Sequence, residues 1–451
     1  MGGRTGFAIG DPQAGLAAGN FWEASARVAT PQTLALQGTA NADIAIIGAG
    51  FAGLNAALRL ADAHGMDVAV LEAGVPGAGA SGRNGGFCCP GSAKRSWSSI
   101  EREFGREETT AFHAMQVEAV DHVRSLIATH AIDSTICGEG EIELAHSRRA
   151  AAGLRQEGRF LAERFGMACA YLEPGELAER GFGGTRFFGG LRDTVSFGLQ
   201  PLDYVRGLAR AAIAAGARIY SGARVDRIAH EAGRYRIATA TGEVTAGRLF
   251  VATNGYTQDR LLPALSGRLL PALSRILVTR PLSEAEISAQ GWRSADPAFD
   301  SRNLLHYFRL LPGRRMLFGG RGGLDPTPAG IARSVKKLRR RFEATFPAFA
   351  DAETTHAWAG NVCLSARLLP HAGPIEGMEN AWTALAWHGN GVAMASYSGR
   401  RMADVIAGVR SLQQSFPAPM RAPLARFPLP FLRKAYLAAA YAGYALIDEW
   451  G

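Results

Sequence analysis

The chain has 451 residues, of which 47% are hydrophobic and 20% charged, which suits two or three folded domains and excludes a mainly disordered protein. Basic residues exceed acidic ones by nine, but they are spread along the chain, so the charge alone does not indicate a nucleic-acid partner. Five cysteines without metal-site spacing and no run of 18 apolar residues argue against a disulfide scaffold, a zinc site and a membrane-spanning helix. We therefore expect a cytoplasmic protein without a metal ion.

The chain begins with a lead-in followed by a strand–helix–strand unit. Residues 1–40 are rich in alanine and glycine and predict an extended or partly ordered segment. The apolar run at residues 43–47 predicts a buried strand, residues 51–64 a helix and residues 68–71 a second strand. This order is typical of the start of a nucleotide-binding domain.

Helices and strands then alternate along the rest of the chain. Apolar periodicity predicts helices over residues 105–131, 148–166, 203–216, 330–346, 392–408 and 431–449. Alternating or short apolar runs predict strands over residues 217–220, 223–230, 234–240, 243–246, 248–252, 273–280, 304–311, 315–320 and 381–387.

This order of elements predicts an α/β fold of two interleaved domains. A Rossmann-like dinucleotide-binding domain is assigned residues 41–110, 195–257 and 355–415. A substrate domain built on a mixed sheet, with its connecting helices, is assigned residues 111–194 and 258–354. Residues 416–451 form a proline-rich tail that ends in a helix.

A glycine-rich turn joins the first strand to the first long helix. It has the pattern G-x-G-x-x-G and consists of Gly48, Ala49, Gly50, Phe51, Ala52 and Gly53. Gly48 permits the tight turn, Gly50 lets the backbone approach a pyrophosphate, and Gly53 allows close packing of helix and strand. Glu72, followed by Ala73 at the end of the next strand, is placed to accept hydrogen bonds from a ribose. The pattern indicates a dinucleotide without distinguishing NAD from FAD.

A second glycine-rich segment follows at residues 77–87. It offers backbone N–H groups and one arginine to a long ligand that extends past the pyrophosphate. Its candidate cofactor-binding residues are Ala80, Ser81, Arg83, Asn84, Gly85 and Gly86.

The run A-S-G-R-N-G-G at residues 80–86 resembles the FAD-dependent amine and amino-acid oxidoreductases of the glycine/D-amino-acid oxidase-like superfamily, most closely the γ-glutamylputrescine oxidase group. The resemblance covers most of residues 40–450 and includes the motifs at residues 307–310, 358–361, 388–392 and 427–448. It implies a non-covalent FAD, further held by Val225, Thr253, Gly255, Gly389, Asn390, Gly391 and Val392. The turn at residues 389–392 opens a helix whose N-terminus can stabilise negative charge on a flavin ring.

The resemblance also implies oxidation of a carbon–nitrogen bond. A neutral amine would transfer hydride to flavin N5, and the resulting imine would hydrolyse to an aldehyde or keto product. The expected substrate is γ-glutamylputrescine or another ω-amino compound. Four candidates on the substrate side each have a packing or ion-pair alternative: Tyr307 as a hydroxyl or ring wall, Arg309 as a partner for a carboxylate, Trp358 as a cavity wall, and His388 as a proton acceptor or a pocket-shaping group.

Several alternatives stay open at this stage. The substrate could be a secondary amino acid such as pipecolate or sarcosine, and the protein could be a nicotinamide-dependent dehydrogenase or a tRNA-modifying flavoprotein. No lysine matches the one that activates oxygen in some related oxidases, so the electron acceptor is either oxygen or another carrier. Cys363 is expected as a free buried thiol rather than a flavin attachment site. The oligomeric state is open.

Overall fold

The computed structural model describes residues 19–91, 93–184 and 186–450. The part of the predicted lead-in at residues 1–18 lies outside these described residues. The helices in chain order are α1 (Phe21–Ala24), α2 (Phe51–His64), α3 (Trp97–Phe104), α4 (Arg106–Thr129), α5 (Arg148–Phe165), α6 (Pro174–Glu179), α7 (Pro201–Ala214), α8 (Glu284–Gln290), α9 (Pro328–Thr345), α10 (Gly391–Ile406), α11 (Leu412–Ser415), α12 (Ala418–Arg421) and α13 (Arg433–Trp450).

The strands form two large sheets and one short pair. In chain order they are β1 (Gly38–Ile47), β2 (Val68–Leu71), β3 (Phe87–Cys88), β4 (Glu141–Leu144), β5 (Cys169–Leu172), β6 (Gly190–Asp193), β7 (Phe197–Gly198), β8 (Arg218–Tyr220), β9 (Val225–Glu231), β10 (Arg234–Thr239), β11 (Gly242–Val251), β12 (Leu269–Thr279), β13 (Ala298–Asp300), β14 (His306–Leu311), β15 (Arg315–Arg321), β16 (Thr354–Ser365), β17 (His371–Pro374) and β18 (Ala381–Leu385).

The first sheet has the strand order β17-β18-β11-β1-β2-β8, and β9 and β10 attach to it through β11. Its central strands β18, β11, β1, β2 and β8 run parallel. Ile44 and Ile46 of β1 pack into one core, and Ala45 and Ile47 pack into another on the opposite face. Because β1 is a central parallel strand covered on both faces, residues 43–47 form a continuous apolar run instead of alternating with polar residues.

The second sheet is mixed and has the order β16-β12-β15-β14-β13-β4-β6-β5. Adjacent strands of this sheet pair antiparallel, except for β13 and β4, which run parallel. Leu437 of α13 packs against Leu270 and Ala272 of β12, so the C-terminal helix covers part of this sheet. The α/β fold class with a Rossmann-like sheet and a second, mixed sheet is confirmed.

The predicted elements agree with the structure most closely near the glycine turn, where α2 and β2 have the predicted bounds. Two predictions for the later strands need correction. Residues 243–246 and 248–251 belong to one strand, β11, because the pairing with β1 resumes in the same register at Arg248, after Gly247. The longest strand of the second sheet, β16, was not predicted, because its residues show no regular alternation of apolar and polar side chains.

The described part of the lead-in is an integral piece of the fold. Trp22 in α1 is only 2% exposed, and Val28 and Leu36 are also buried. The carboxylate of Asp203 accepts hydrogen bonds from the backbone N–H groups of Arg27 and Val28. Residues 19–36 are therefore ordered by contacts with distant parts of the chain, which low local periodicity does not reveal.

Candidate active site

The glycine turn has the geometry that its residue types require. Gly48 has a backbone φ of +107°, in the region that favours glycine. A Cβ atom on Gly53 would lie 2.0 Å from the carbonyl oxygen of Gly48, and one on Gly50 would lie 2.8 Å from Oγ of Ser81. Glycine at these positions brings the N-terminus of α2 to the ends of the parallel strands, where a phosphate group can approach the backbone.

Glu72 follows β2 and faces the same turn. Its two carboxylate oxygens accept hydrogen bonds from the backbone N–H groups of Ala49, at 2.8 Å, and Gly74, at 2.9 Å. Burial raises the pKa of Glu72, while these hydrogen bonds act in the opposite direction. The carboxylate thereby links the glycine turn to the segment after β2, and it lines the cavity described below.

The second glycine-rich segment is held in place by hydrogen bonds within the segment and by donors from outside it. The side chain of Asn84 donates to the carbonyl groups of Ala80 and Ser81 and accepts from the N–H of Gly86. From outside the segment, Trp22 Nε1 donates to the carbonyl of Asn84, Asn20 donates to the carbonyl of Gly82, and Trp358 Nε1 donates to the carbonyl of Arg83. This loop is therefore rigidly positioned by α1 and β16.

We expect Trp22→Phe to lower the free energy of unfolding by about 1–2 kcal/mol, because it leaves the buried carbonyl of Asn84 without its donor. Urea denaturation followed by circular dichroism measures the change. Trp382→Phe in β18, where the side chain is only half-buried, serves as the matched control. Equal losses in the two variants would contradict a specific contribution of the Trp22 hydrogen bond.

A single continuous cavity of about 770 Å³ runs past the glycine turn and the second loop. The predicted cofactor residues that line it are Gly48, Gly50, Phe51, Ala52, Glu72, Ala73, Ala80, Ser81, Arg83, Asn84, Gly85, Val225, Thr253, Gly389, Asn390, Gly391 and Val392. Gly53, Gly86 and Gly255 lie behind the wall. Gly53 and Gly86 allow close packing there, since Cβ atoms would lie 2.0 Å from the carbonyl oxygens of Gly48 and Leu199, respectively.

The cavity suits a long anionic dinucleotide. The first turns of α2 and α10 line it, and neither contains an acidic residue. The N-cap residues Gly50 and Asn390 make no side-chain cap, although Oγ of Ser81 accepts a hydrogen bond from the N–H of Phe51 at the start of α2. The helix dipoles favour negative charge at both N-termini, one near the glycine turn and one near His388. Within the described part of the chain, Nδ1 of His388 is buried without a hydrogen-bond partner, so a donor on a bound group would satisfy it. The residues present therefore fit FAD.

His388 is 1% exposed and precedes the turn into α10. Its Nε2 lies 3.3 Å from Oγ of Ser365, whose own hydrogen is donated to the carbonyl of Leu369. This network leaves Nδ1 as an unprotonated acceptor. Burial lowers the pKa of His388 to about 3, and the carbonyl of Leu369 opposes this shift. A group of this pKa is too weak a base at neutral pH, which favours the pocket-shaping role over proton acceptance.

Of the other substrate-side candidates, only Tyr307 lines the cavity. Its hydroxyl lies 2.8 Å from Oγ of Ser274, and burial raises its pKa to about 12. Trp358 is 3% exposed and lies behind the second loop, where its ring N–H donates a hydrogen bond to the carbonyl of Arg83. Its predicted place in the cavity wall is therefore corrected to a position that supports the loop.

Arg309 also lies behind the wall, at 1% exposure. Its guanidinium donates to the carbonyl groups of Gly85, at 3.1 Å, and Leu199, at 2.6 Å, and to Sγ of Cys137. The prediction that it binds a substrate carboxylate does not fit this position, because backbone from the second loop and from the residues before α7 covers the side chain. Arg309 instead holds these two segments together.

Sequence reasoning missed several charged residues that line the cavity: Lys94, Glu141, Glu143, Asp300, Arg302 and Arg321. The strand E-I-E-L alternates charged and apolar residues, so Glu141 and Glu143 share one face of β4 while Ile142 and Leu144 enter the core. That alternation was a visible signal. Lys94 and Arg321 carry no local signal, because their positions depend on how distant segments fold together.

Lys94 lies in the irregular segment between β3 and α3 and corrects the expectation that no lysine reaches this site. Burial lowers its pKa to about 7, with a further lowering from the charge of Arg321. Burial also raises the pKa of Glu143 to about 7 and that of Glu141 well above its ordinary range. The cavity thus contains two groups whose protonation changes near neutral pH.

Arg321, at the end of β15, donates a 2.6 Å hydrogen bond to the carbonyl of His388. It therefore lies next to the turn that opens α10. Arg302 forms an ion pair with Asp300, so part of its charge is already neutralised. Arg321 rather than Arg309 is the arginine placed to meet an anionic group in this part of the cavity.

Cys363 lines the cavity from β16, and burial raises the pKa of its thiol to about 12. The expectation that it remains a free thiol stays a prediction. Within the described ranges, no group of three or more histidine, cysteine, aspartate or glutamate side chains is arranged to hold a metal ion. No helix in the same ranges combines the length and apolarity needed to cross a membrane.

The chain resembles known oxidoreductases over nearly its whole length. The profile of the family described as DAO, FAD dependent oxidoreductase, matches residues 43–405. A protein of Rhizobium meliloti (strain 1021) named probable oxidoreductase OrdL is 32% identical over 441 residues, 97% of this chain and 99% of that protein. Gamma-glutamylputrescine oxidoreductase of Escherichia coli (strain K12) is 30% identical over 419 residues, 91% and 93% of the two chains.

The fold is also found in a solved structure. Glycine oxidase from Geobacillus kaustophilus superposes with a TM-score of 0.69 at 22% identity, covering 86% of this chain and 99% of that chain. At this level of identity, the superposition concerns the fold alone.

Proposed function

Because the chain belongs to the DAO family of FAD-dependent oxidoreductases, we propose that it oxidises the carbon–nitrogen bond of an ω-amino compound related to γ-glutamylputrescine. The observation that carries this proposal is the single cavity, which continues from the glycine turn to a wall of charged side chains. Such a cavity can hold a dinucleotide and a charged small molecule side by side.

The residues that would hold FAD are those of the glycine turn, the second loop and the first turn of α10. Glu72 would accept hydrogen bonds from the ribose, and Val225 would lie beside the adenine. The backbone at Gly50 and Phe51 would approach the pyrophosphate at the N-terminus of α2. When bound, FAD supplies the acceptor for the hydride that leaves the carbon next to the amine nitrogen.

The charged wall carries both signs, as expected for a substrate that has ammonium and carboxylate groups. Glu143 offers a carboxylate to an ammonium group, Glu141 lies on the same face of β4, and Arg302 offers a guanidinium to a carboxylate. A γ-glutamyl derivative of a diamine has a reactive amine at one end and both an ammonium and a carboxylate at the other. The name of the Escherichia coli relative gives independent support for this substrate class.

Arg321 favours a second candidate, a secondary amino acid such as pipecolate or sarcosine. Its guanidinium lies beside His388, at the α10 end of the cavity. There it could pair with a carboxylate attached to the same carbon that is oxidised. An ω-amine has no carboxylate at that point, so Arg321 distinguishes the two candidates.

The test is the visible spectrum of the purified holoprotein, recorded anaerobically during addition of γ-glutamylputrescine, putrescine, pipecolate or sarcosine. We expect a flavin band that γ-glutamylputrescine bleaches faster than the other three amines do. Readmission of air then shows whether oxygen is the acceptor. A flavin band that none of these amines bleaches would contradict the proposed substrate class.

Arg321→Met, measured with the same four amines, separates the two candidates. If the substrate is an ω-amine, the variant retains its flavin, and its reaction with γ-glutamylputrescine is slowed no less than its reaction with pipecolate or sarcosine. Selective loss of reaction with pipecolate or sarcosine would assign Arg321 to a carboxylate next to the reacting carbon, and thereby favour the amino-acid candidate.

A further inference from the structure

Lys94 is the lysine, among the four in the chain, that lines the cavity. The side chain is half-buried and lies close enough to Arg321, Glu143 and Asp448 for their charges to affect its pKa. The charge of Lys94 in turn lowers the pKa of His388. Lys94 shares the cavity wall with His388 and Arg321. The segment that carries it runs against the turn into α10, because a Cβ atom on Gly91 would lie 2.3 Å from Nδ2 of Asn390.

We propose that the ε-amino group of Lys94 accepts the proton that the substrate ammonium loses before its carbon–nitrogen bond is oxidised. This inference rests on the proposed function, since it takes an amine as the substrate. The step is a balanced proton transfer: an N–H bond of the ammonium group breaks, a new N–H bond forms on Lys94, and nothing is oxidised or reduced.

Amine oxidation needs such an acceptor because an alkylammonium ion has a pKa near that of free lysine, about 10.4, and is almost wholly protonated at neutral pH. An ammonium nitrogen has no lone pair with which to assist departure of hydride from its carbon. The nearby positive charge of Arg321 disfavours a protonated amine here, both on Lys94 and on the substrate.

The charged and titratable groups around Lys94 come from four separate elements. Arg321 of β15 lowers its pKa, Glu143 of β4 and Asp448 of α13 raise it, and burial is the largest cause of the net lowering to about 7. His388, from the turn before α10, has a pKa of about 3 and is uncharged at neutral pH. With a pKa of about 7, about half of Lys94 is unprotonated at neutral pH and can accept a proton.

The other titratable groups of the cavity are less suitable acceptors. His388 is too weak a base, and Tyr307, with a pKa of about 12, keeps its proton. Burial and the charge of Asp193 raise the pKa of Glu141 well above its ordinary range, and its charged neighbours are Asp193 and Glu143 rather than the groups at the α10 turn. Glu143 has a pKa of about 7, but its charged neighbours are Glu157, Lys94 and Asp300 rather than the groups at the α10 turn. Glu143 is thus the alternative proton acceptor, and the experiments must distinguish its role from that of Lys94.

The first experiment measures the protonation of Lys94 directly and needs no substrate. The holoprotein is treated briefly with acetic anhydride between pH 5 and 10, and acetylation of each lysine is quantified by peptide mass spectrometry. Lys336 and Lys337 on the exposed face of α9 serve as internal references. We expect half-maximal reaction of Lys94 near pH 7, with the two reference lysines reporting the reactivity of the reagent at each pH. A midpoint for Lys94 near 10, or no reaction above that of the references at pH 7, would overturn the proposal.

The second experiment measures flavin reduction by γ-glutamylputrescine under anaerobic stopped-flow conditions in the wild type, Lys94→Met and Lys336→Met. We expect the second-order rate constant of the wild type and Lys336→Met to rise through pH 7 and level off. Lys94→Met should be about 10²–10³-fold slower at pH 7, because it must select the rare neutral amine, and the gap should narrow towards pH 10.

Glu143→Gln separates the two acceptors. If Lys94 accepts the proton, loss of the Glu143 charge lowers the pKa of Lys94. The rate constant for flavin reduction then begins to rise at lower pH but still levels off at the same value. If Glu143 is the acceptor, the rate constant of Glu143→Gln no longer levels off above pH 7, whereas Lys94→Met only changes the pH at which the rate constant rises. That result would overturn the proposal. A Lys94→Met effect confined to reoxidation by oxygen would also overturn it. Absence of flavin reduction by any amine of the panel, with Lys94 still titrating near 7, would instead reject the proposed function.

Discussion

Gly53→Ala should yield a protein that purifies without flavin, although the substitution adds a single methyl group. A Cβ atom at this position would lie 2.0 Å from the carbonyl oxygen of Gly48 and 3.2 Å from its carbonyl carbon. Both atoms belong to the backbone of the turn, so no side-chain rotation can relieve the overlap. The N-terminus of α2 must move away from the ends of the parallel strands, and the anion site it forms with Gly48 and Gly50 is lost.

The ratio of flavin absorbance to protein absorbance measures this effect after purification and after incubation with excess FAD. Gly247→Ala in β11 is the matched control, since a Cβ there meets only the carbonyl oxygen of Asp43 at 3.7 Å. The control should retain its flavin and be as stable as the wild type or slightly more so, because alanine restricts the unfolded chain. A Gly53→Ala protein with full flavin content would show that α2 does not need its present distance from the turn.

Arg309→Met should lower the free energy of unfolding by about 3 kcal/mol and weaken flavin retention. The substitution leaves the buried carbonyl groups of Gly85 and Leu199 without their donors, each at a cost of about 1–3 kcal/mol. Removal of a desolvated cation offsets part of this cost. Because Gly85 belongs to the loop that lines the cavity, the loss of stability and the loss of flavin should occur together.

Urea denaturation gives the change in unfolding free energy, and flavin fluorescence in the filtrate gives the cofactor released. Arg227→Met, at an exposed position of β9, controls for the general effect of removing an arginine and should change the free energy by less than about 0.5 kcal/mol. If Arg309→Met instead kept its stability and flavin but lost reaction with carboxylate-bearing amines, the assignment of Arg309 to the support of the loop would be wrong.

Tyr307 and Arg309 show how far strand alternation can predict a site. Tyr307 and Arg309 were both proposed on the substrate side, and they do lie on one face of β14, while Phe308 enters the core on the other face. Alternation predicts the face of a strand but not what covers it. The backbone at Gly85 and Leu199 covers Arg309, whereas Tyr307 remains at the cavity.

The local features were predictable because each depends on a few consecutive residues. The glycine turn, α2, β2 and Glu72 follow from short-range requirements: a positive φ at Gly48, helical periodicity in residues 51–64, and a short apolar run before the carboxylate. The motif at residues 80–86 likewise identified the cofactor loop from contiguous residues. Both features lie within residues 43–405, which match the family of FAD-dependent oxidoreductases.

The charged end of the cavity depends instead on the convergence of distant segments. Lys94 follows β3, Glu143 lies in β4, Arg321 ends β15 and Asp448 lies in α13, yet their charges act on one another. The pKa shifts of Lys94, Glu143 and Arg321 arise mainly from burial, which is a property of the assembled protein and not of the local sequence. Consecutive residues therefore predict the cofactor site that we propose for this chain, while the packing of the two sheets and α13 decides which side chains line the charged end of the cavity.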